Sequence, residues 1–154
     1  MPSAVELLCA DSIRLAKASI IERFPFTELY TKAHLIVELS AFDDYEIDTG
    51  LTDVFNILEV YSSENILYGV TNDEKRKIWS LRRNIGNALT SNGRFYRDID
   101  ICVPVSFLYQ YIIFIEDLRN KENLDLIYFG HAFDGNLHTM LLFTDTNAIE
   151  QERL

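Results

Sequence analysis

Short runs rich in branched and aromatic residues alternate along this chain with longer segments of helical period, and that alternation constrains the fold more than any single residue does. His34-Leu35-Ile36-Val37-Glu38-Leu39, Asn65 to Val70, Asp100-Ile101-Cys102-Val103, Asp125 to Phe129 and His138 to Phe143 each have the length and composition of a strand. Thr71-Asn72-Asp73-Glu74 is a capping box, in which hydroxyl and carboxylate each satisfy a backbone N–H of the first helical turn. It opens a helix with Ile78, Leu81, Ile85, Ala88 and Leu89 on one face, stopped by Ser91, Asn92 and Gly93. Ser3-Ala4-Val5-Glu6 has the same spacing. It predicts a first helix carrying Val5, Leu8, Cys9, Ile13, Ala16 and Ile20 inward, ended by Phe24-Pro25-Phe26.

Two further helices complete the alternation. Leu51, Val54, Phe55 and Leu58 predict one from Thr49 to Tyr61, after an acidic, solvated connection from Asp43 to Asp48. Ser106 is the expected N-cap of another, Phe107 to Arg119, which is apolar almost all round and so must be deeply buried or covered by a partner. Helices and strands that take turns in this way predict an α+β domain. The expected form is a ferredoxin-like, four-stranded sheet with helices on one face and an extra N-terminal helix. No repeat, low-complexity tract or Pro/Gly/Ser linker divides residues 1–154, so one domain is expected over that range.

Charge excludes one class of partner. With 24 Asp+Glu against 14 Lys+Arg the net charge is −10, which repels phosphate backbones, so no nucleic acid is expected. No apolar run reaches the roughly 18 to 20 residues that span a bilayer. The first residues carry Glu6 and Asp11 where a secretory signal is basic and then apolar. A cytoplasmic location is therefore expected, with Cys9 and Cys102 as reduced thiols.

The segment with chemistry in it is Gly130-His131-Ala132-Phe133-Asp134-Gly135-Asn136-Leu137-His138. It holds two of the chain's 3 histidines. In an unbroken strand their odd separation puts them on opposite faces, but Asp134-Gly135 breaks the strand and can swing both imidazoles to one side. On spacing alone, a hairpin with hydrogen-bonded histidines and half of a metal site both remain open.

This segment resembles the Gly-His-x-Gly-Asp-Gly-Asn-Leu-His signature of the C-terminal domain of FAD-linked oxidases, a family that includes glycolate oxidase subunits, D-lactate dehydrogenases and D-2-hydroxyglutarate dehydrogenase. Ile78-Trp79-Ser80-Leu81-Arg82 is similar to that family's Leu-Trp-x-Leu-Arg helix. Asp100-Ile101-Cys102-Val103-Pro104 is similar to its Asp-Val-x-Val-Pro strand, and Pro2 to Glu6 to its opening Pro-x-Ala-x-Glu. The likeness covers nearly the whole chain in the right order.

The resemblance implies a substrate-side domain that closes over a flavin held mainly by a separate FAD-binding domain, the enzyme oxidising a small 2-hydroxy acid. It implies that His131 and His138 ligate a divalent metal, zinc for example, that Arg82 grips the substrate carboxylate, and that Asn136 lies beside the flavin. Periodicity agrees for Arg82, four residues after Ile78 at the edge of the inward face. Phe133 stands where the signature has Gly, and Met140 where the family often carries Asn. The family's remaining metal ligand and base come from a Glu-His-Gly motif that does not occur before Leu154. An incomplete metal site is therefore expected, with no bound FAD and no turnover by these residues alone. The alternative is a non-catalytic remnant or interaction module of the same fold.

Overall fold

The chain's first element is extended, not helical. In the computed structural model, which describes residues 1–19, 33–61, 66–91 and 95–143, β1 (Pro2–Cys9) precedes α1 (Ala10–Ser19). The helical spacing of Val5, Leu8 and Cys9 misleads because β1 lies inside the sheet. Leu7, Leu8 and Cys9 are consecutive and all buried, as happens when a strand is covered on both faces. The Ser3 hydroxyl donates to the Glu38 carbonyl on a neighbouring strand, at 3.2 Å, instead of capping a helix. The chain turns helical only where the Ser12 hydroxyl donates back to the Cys9 carbonyl at 2.7 Å. Ile20 and Phe24-Pro25-Phe26 lie outside the described residues.

The remaining elements are β2 (Ala33–Leu39), α2 (Asp44–Val60), α3 (Asn72–Ser91), β3 (Phe95–Cys102), a 3-10 turn (Val105–Phe107), α4 (Leu108–Glu122), β4 (Leu126–His131) and β5 (Asn136–Phe143). Acidic residues expected in a loop instead start α2: the Asp43 carboxylate accepts from Glu46 N at 2.9 Å, and Glu46 accepts from Phe42 N at 3.2 Å. At α3 the capping box forms as expected, Thr71 N donating to the Glu74 carboxylate at 2.9 Å and Glu74 N to the Thr71 hydroxyl at 3.3 Å. Residues 66–70 form no strand, and Asn65, Asn92 and Gly93 lie outside the described residues. Ser106 falls in the 3-10 turn and caps nothing; α4 starts without a side-chain cap. No helix among the described residues is long and apolar enough to cross a membrane.

The sheet has five strands in the order β2-β1-β4-β5-β3, each neighbouring pair antiparallel. The α+β class holds, with one strand more than expected. Directly opposed residues share a face, so register assigns every side chain to one side. Glu6, His131, Asn136 and Cys102 form one row, and Leu8, Phe129, His138 and Asp100 the next, on the same face. α3 meets this face: its Trp79 indole N–H donates to the Glu38 carboxylate at 2.8 Å, and its Arg82 reaches Glu6.

The other face meets α4, where the hydroxyls of Tyr111 and Thr139 bond at 3.0 Å. Helices therefore touch both faces of the sheet, not one. Burial, with a hydrogen bond to Glu116 on α4, also raises the Tyr128 phenol above its ordinary pKa. α4 is neither fully buried nor fully covered. Only Ile115 is buried, while Phe107, Tyr109, Ile113, Phe114 and Leu118 are exposed. The main core runs through Leu8, Ile13, Leu81, Ile85, Leu89, Phe129 and Leu137.

Candidate functional site

The hairpin β4–β5 sets the site. His131 pairs with Asn136 across a turn of four residues, Ala132 to Gly135, and not across a two-residue Asp-Gly reversal. Asp134 shapes the turn by accepting from Asn136 N at 3.2 Å. Gly135 takes φ 76°, the left-handed region open to glycine at little cost. The turn is anchored on both sides: Phe133 N donates to the Val5 carbonyl at 3.3 Å and Val103 N to the Gly135 carbonyl at 3.0 Å. Gly130 has φ 148°, and a Cβ there would stand 2.6 Å from the Asn136 carbonyl oxygen of the adjacent strand. Glycine is needed at both points for the hairpin to close with this register.

That register carries both imidazoles to one face, as expected from the sequence. The His131 and His138 rings lie 6.3 Å apart, centre to centre, and nearly perpendicular at 68°. His138 leans on the Phe129 ring at 5.5 Å. The Arg82 guanidinium sits over the same phenyl ring at 4.6 Å, a cation–π contact. Arg82, His131 and His138, far apart in sequence, thus belong to one cluster.

The cluster's centre is a residue that local sequence pattern misplaces. Glu6, expected in a capping box, is buried at 2% exposure under the cluster. One carboxylate oxygen accepts from Arg82 Nε at 2.7 Å and the other contacts His131 Nδ1. The available signal was the Pro-x-Ala-x-Glu likeness, which placed Glu6 at the start of the domain without saying what it touches.

Two buried polar atoms of the site have no hydrogen-bond partner among the described residues, Asn136 Oδ1 and His138 Nδ1. His138 Nδ1 lies 3.7 Å from an Asp98 oxygen and 3.6 Å from an Asp100 oxygen, within reach of ionic attraction but too long for a hydrogen bond. Met140 is buried on this face as well. Among the described residues no group of three or more His, Cys, Asp or Glu side chains could hold a metal ion. The two imidazoles do not make a complete site by themselves.

The chain matches the family of FAD linked oxidases, C-terminal domain, over residues 1–154. It is 28% identical to a mitochondrial D-2-hydroxyglutarate dehydrogenase of Rattus norvegicus, over 99% of this chain and 28% of that protein. It is 24% identical to a D-lactate dehydrogenase of Archaeoglobus fulgidus, over 90% of this chain and 29% of that protein. A mitochondrial D-2-hydroxyglutarate dehydrogenase of Danio rerio is 29% identical, over 88% of this chain and 25% of that protein. The chain thus spans less than a third of the length of these curated relatives. With its match along all 154 residues, this chain belongs to the family of FAD-linked oxidase C-terminal domains.

Proposed function

We propose that the chain forms the substrate side of an FAD-dependent oxidoreductase acting on a small 2-hydroxy acid, of the D-2-hydroxyglutarate or D-lactate kind. The observation that supports this reading best is the meeting of Arg82, His131 and His138 on one face of the sheet. Arg82 is bound to Glu6 through Nε, and its Nη atoms make no bond to a described residue. A guanidinium held in that way offers parallel donors to a planar carboxylate. The imidazoles lie on the same face, at the substrate's hydroxyl end. FAD, bound mainly by a partner domain, supplies the hydride acceptor. Asn136, with Oδ1 buried and unpartnered among the described residues, is the residue proposed to lie beside it.

His131 and His138 are also proposed as the two ligands this chain brings to a divalent metal. The described residues do not complete its coordination. The exposed apolar side of α4 is proposed to be covered by the FAD-binding domain or by a second copy of the chain.

The test is steady-state turnover of D-lactate and D-2-hydroxyglutarate by the chain assembled with its FAD-binding domain. Arg82→Ala is expected to lower kcat/KM about 10- to 100-fold, the equivalent of losing a charge-assisted hydrogen bond. Unchanged turnover in that variant would remove Arg82 from the site, whereas no turnover of either acid by the assembled wild type would favour the non-catalytic reading.

A further inference from the structure

We propose that Glu6 is a positioning residue that holds His131 in the tautomer protonated at Nδ1, so that Nε2 faces the site as a hydrogen-bond or ligand acceptor, while the same carboxylate aims Arg82. This rests on the function proposed above. Glu6 is the one strongly buried acid of the described residues, at 2% exposure, and both its oxygens are engaged. A carboxylate only accepts hydrogen bonds, so each partner nitrogen must bring a proton. Arg82 Nε always carries one. His131 Nδ1 has to carry the other, and in the neutral ring that leaves Nε2 with the lone pair. The His131 side chain is half-exposed at 49%, while its Nδ1 contacts the buried acid.

The two contacts depend on each other. Arg82 comes from α3, Glu6 from β1 and His131 from the end of β4, with sequence separations of 76 and 125 residues. Without Arg82 the buried carboxylate would lose its fixed positive partner; without Glu6 the ring could rotate or exchange tautomers. One side chain thereby orients both the group that binds carboxylate and the group at the hydroxyl end. It touches neither substrate nor flavin itself, and acts through its two partners. Such outer partners fix which ring nitrogen of a histidine is available.

Glu6→Gln separates this role from simple support. Arg82 Nε–H is a donor only, so the amide oxygen of Gln must turn toward it. The amide NH2 then faces His131, and Nδ1 has to accept. The substitution keeps the shape and inverts the tautomer. Ring-nitrogen NMR of the 154-residue chain, at a pH where imidazoles are neutral, reads this directly. In the wild type the pyrrole-type signal of His131 is expected at Nδ1 and the pyridine-type signal at Nε2; in Glu6→Gln they exchange places. Glu6→Asp, with its carboxylate withdrawn by one methylene, is expected to show both tautomers.

A wild-type spectrum with the proton on Nε2 overturns the proposal, whether or not any variant folds. A folded Glu6→Gln with the wild-type pattern overturns it too. In the enzyme assembled with its FAD-binding domain, Glu6→Gln is expected to lower kcat about tenfold or more while KM changes less than about threefold, because Arg82 stays bonded. Equal changes in both would reduce Glu6 to a structural support. If the spectra behave as expected but the assembled wild-type enzyme turns over neither acid, the proposed function fails and the role of Glu6 toward its two partners stands.

Discussion

Gly135→Ala and Gly86→Ala are the same chemical change and are expected to shift stability in opposite directions. At Gly135 the backbone has φ 76°, and a new Cβ would stand 1.9 Å from the Val103 carbonyl oxygen and 3.1 Å from its carbonyl carbon. Ordinary contact begins near 3.4 Å, so the turn must retreat by more than an ångström. Retreat stretches the bond from Val103 N to the Gly135 carbonyl, now 3.0 Å. The left-handed conformation costs a non-glycine residue about 1–2 kcal/mol and the lost bond about 1 kcal/mol, so the expected destabilisation is about 2–3 kcal/mol. Gly86 lies on the exposed side of α3, and an added methyl there would meet nothing within 4 Å, so alanine is expected to stabilise by about 0.5–1 kcal/mol. Urea unfolding of both variants measures this as displaced midpoints at constant slope. Shifts of the same sign, or Gly135→Ala within about 0.5 kcal/mol of wild type, would refute the account of the hairpin.

Two further outcomes are expected. Burial, and next the charge of Lys17, hold the His34 imidazole below its ordinary pKa of 6.5, so the unfolded chain takes up that proton first. Stability is therefore expected to fall as pH drops through 6.5 toward the lowered native value, and His34→Gln to flatten this part of the urea-midpoint profile. The exposed apolar side of α4 is expected to make the isolated chain self-associate, so that Phe114→Ser, at a position 60% exposed, shifts sedimentation toward monomer with little loss of stability. A single monomer boundary at every wild-type concentration would contradict this.

The two capping-box patterns show what was legible in the sequence and what was not. Thr71-Asn72-Asp73-Glu74 makes the reciprocal bonds its spacing promises, and the inward face of α3 follows from it. Ser3-Ala4-Val5-Glu6 has the same pattern at the same spacing, yet Ser3 bonds across to β2 and Glu6 turns into the site. Local pattern decides where the neighbours are local. It fails for β1, a strand inside the sheet, whose two buried faces erase the alternation that marks a strand. The same logic divides the site. Arg82, His131 and His138 could be picked out from short motifs, and the register of one hairpin brings the two histidines to one face. Glu6 was marked only by the Pro-x-Ala-x-Glu likeness, and what it touches comes from partners on α3 and β4. The run at 66–70 erred the other way, with strand-forming residues but no strand.

The placing of β1 between β2 and β4 also sets the order in which this domain can be finished. β1 pairs with β2 within the first 39 residues, but its other edge is closed by Glu6, Leu7 and Leu8 meeting Phe129, Gly130 and His131. At a synthesis rate of about 5–20 residues per second, that edge waits on the order of ten seconds for its partner to be made. During that interval an apolar strand edge and an acid destined for burial stay open to water or to a chaperone. Contacts between such distant residues also slow the search for the native pairing. The pairing of β1 with β4 and the union of Glu6 with His131 are then one event, so the chain acquires this part of its candidate site only when that late edge closes.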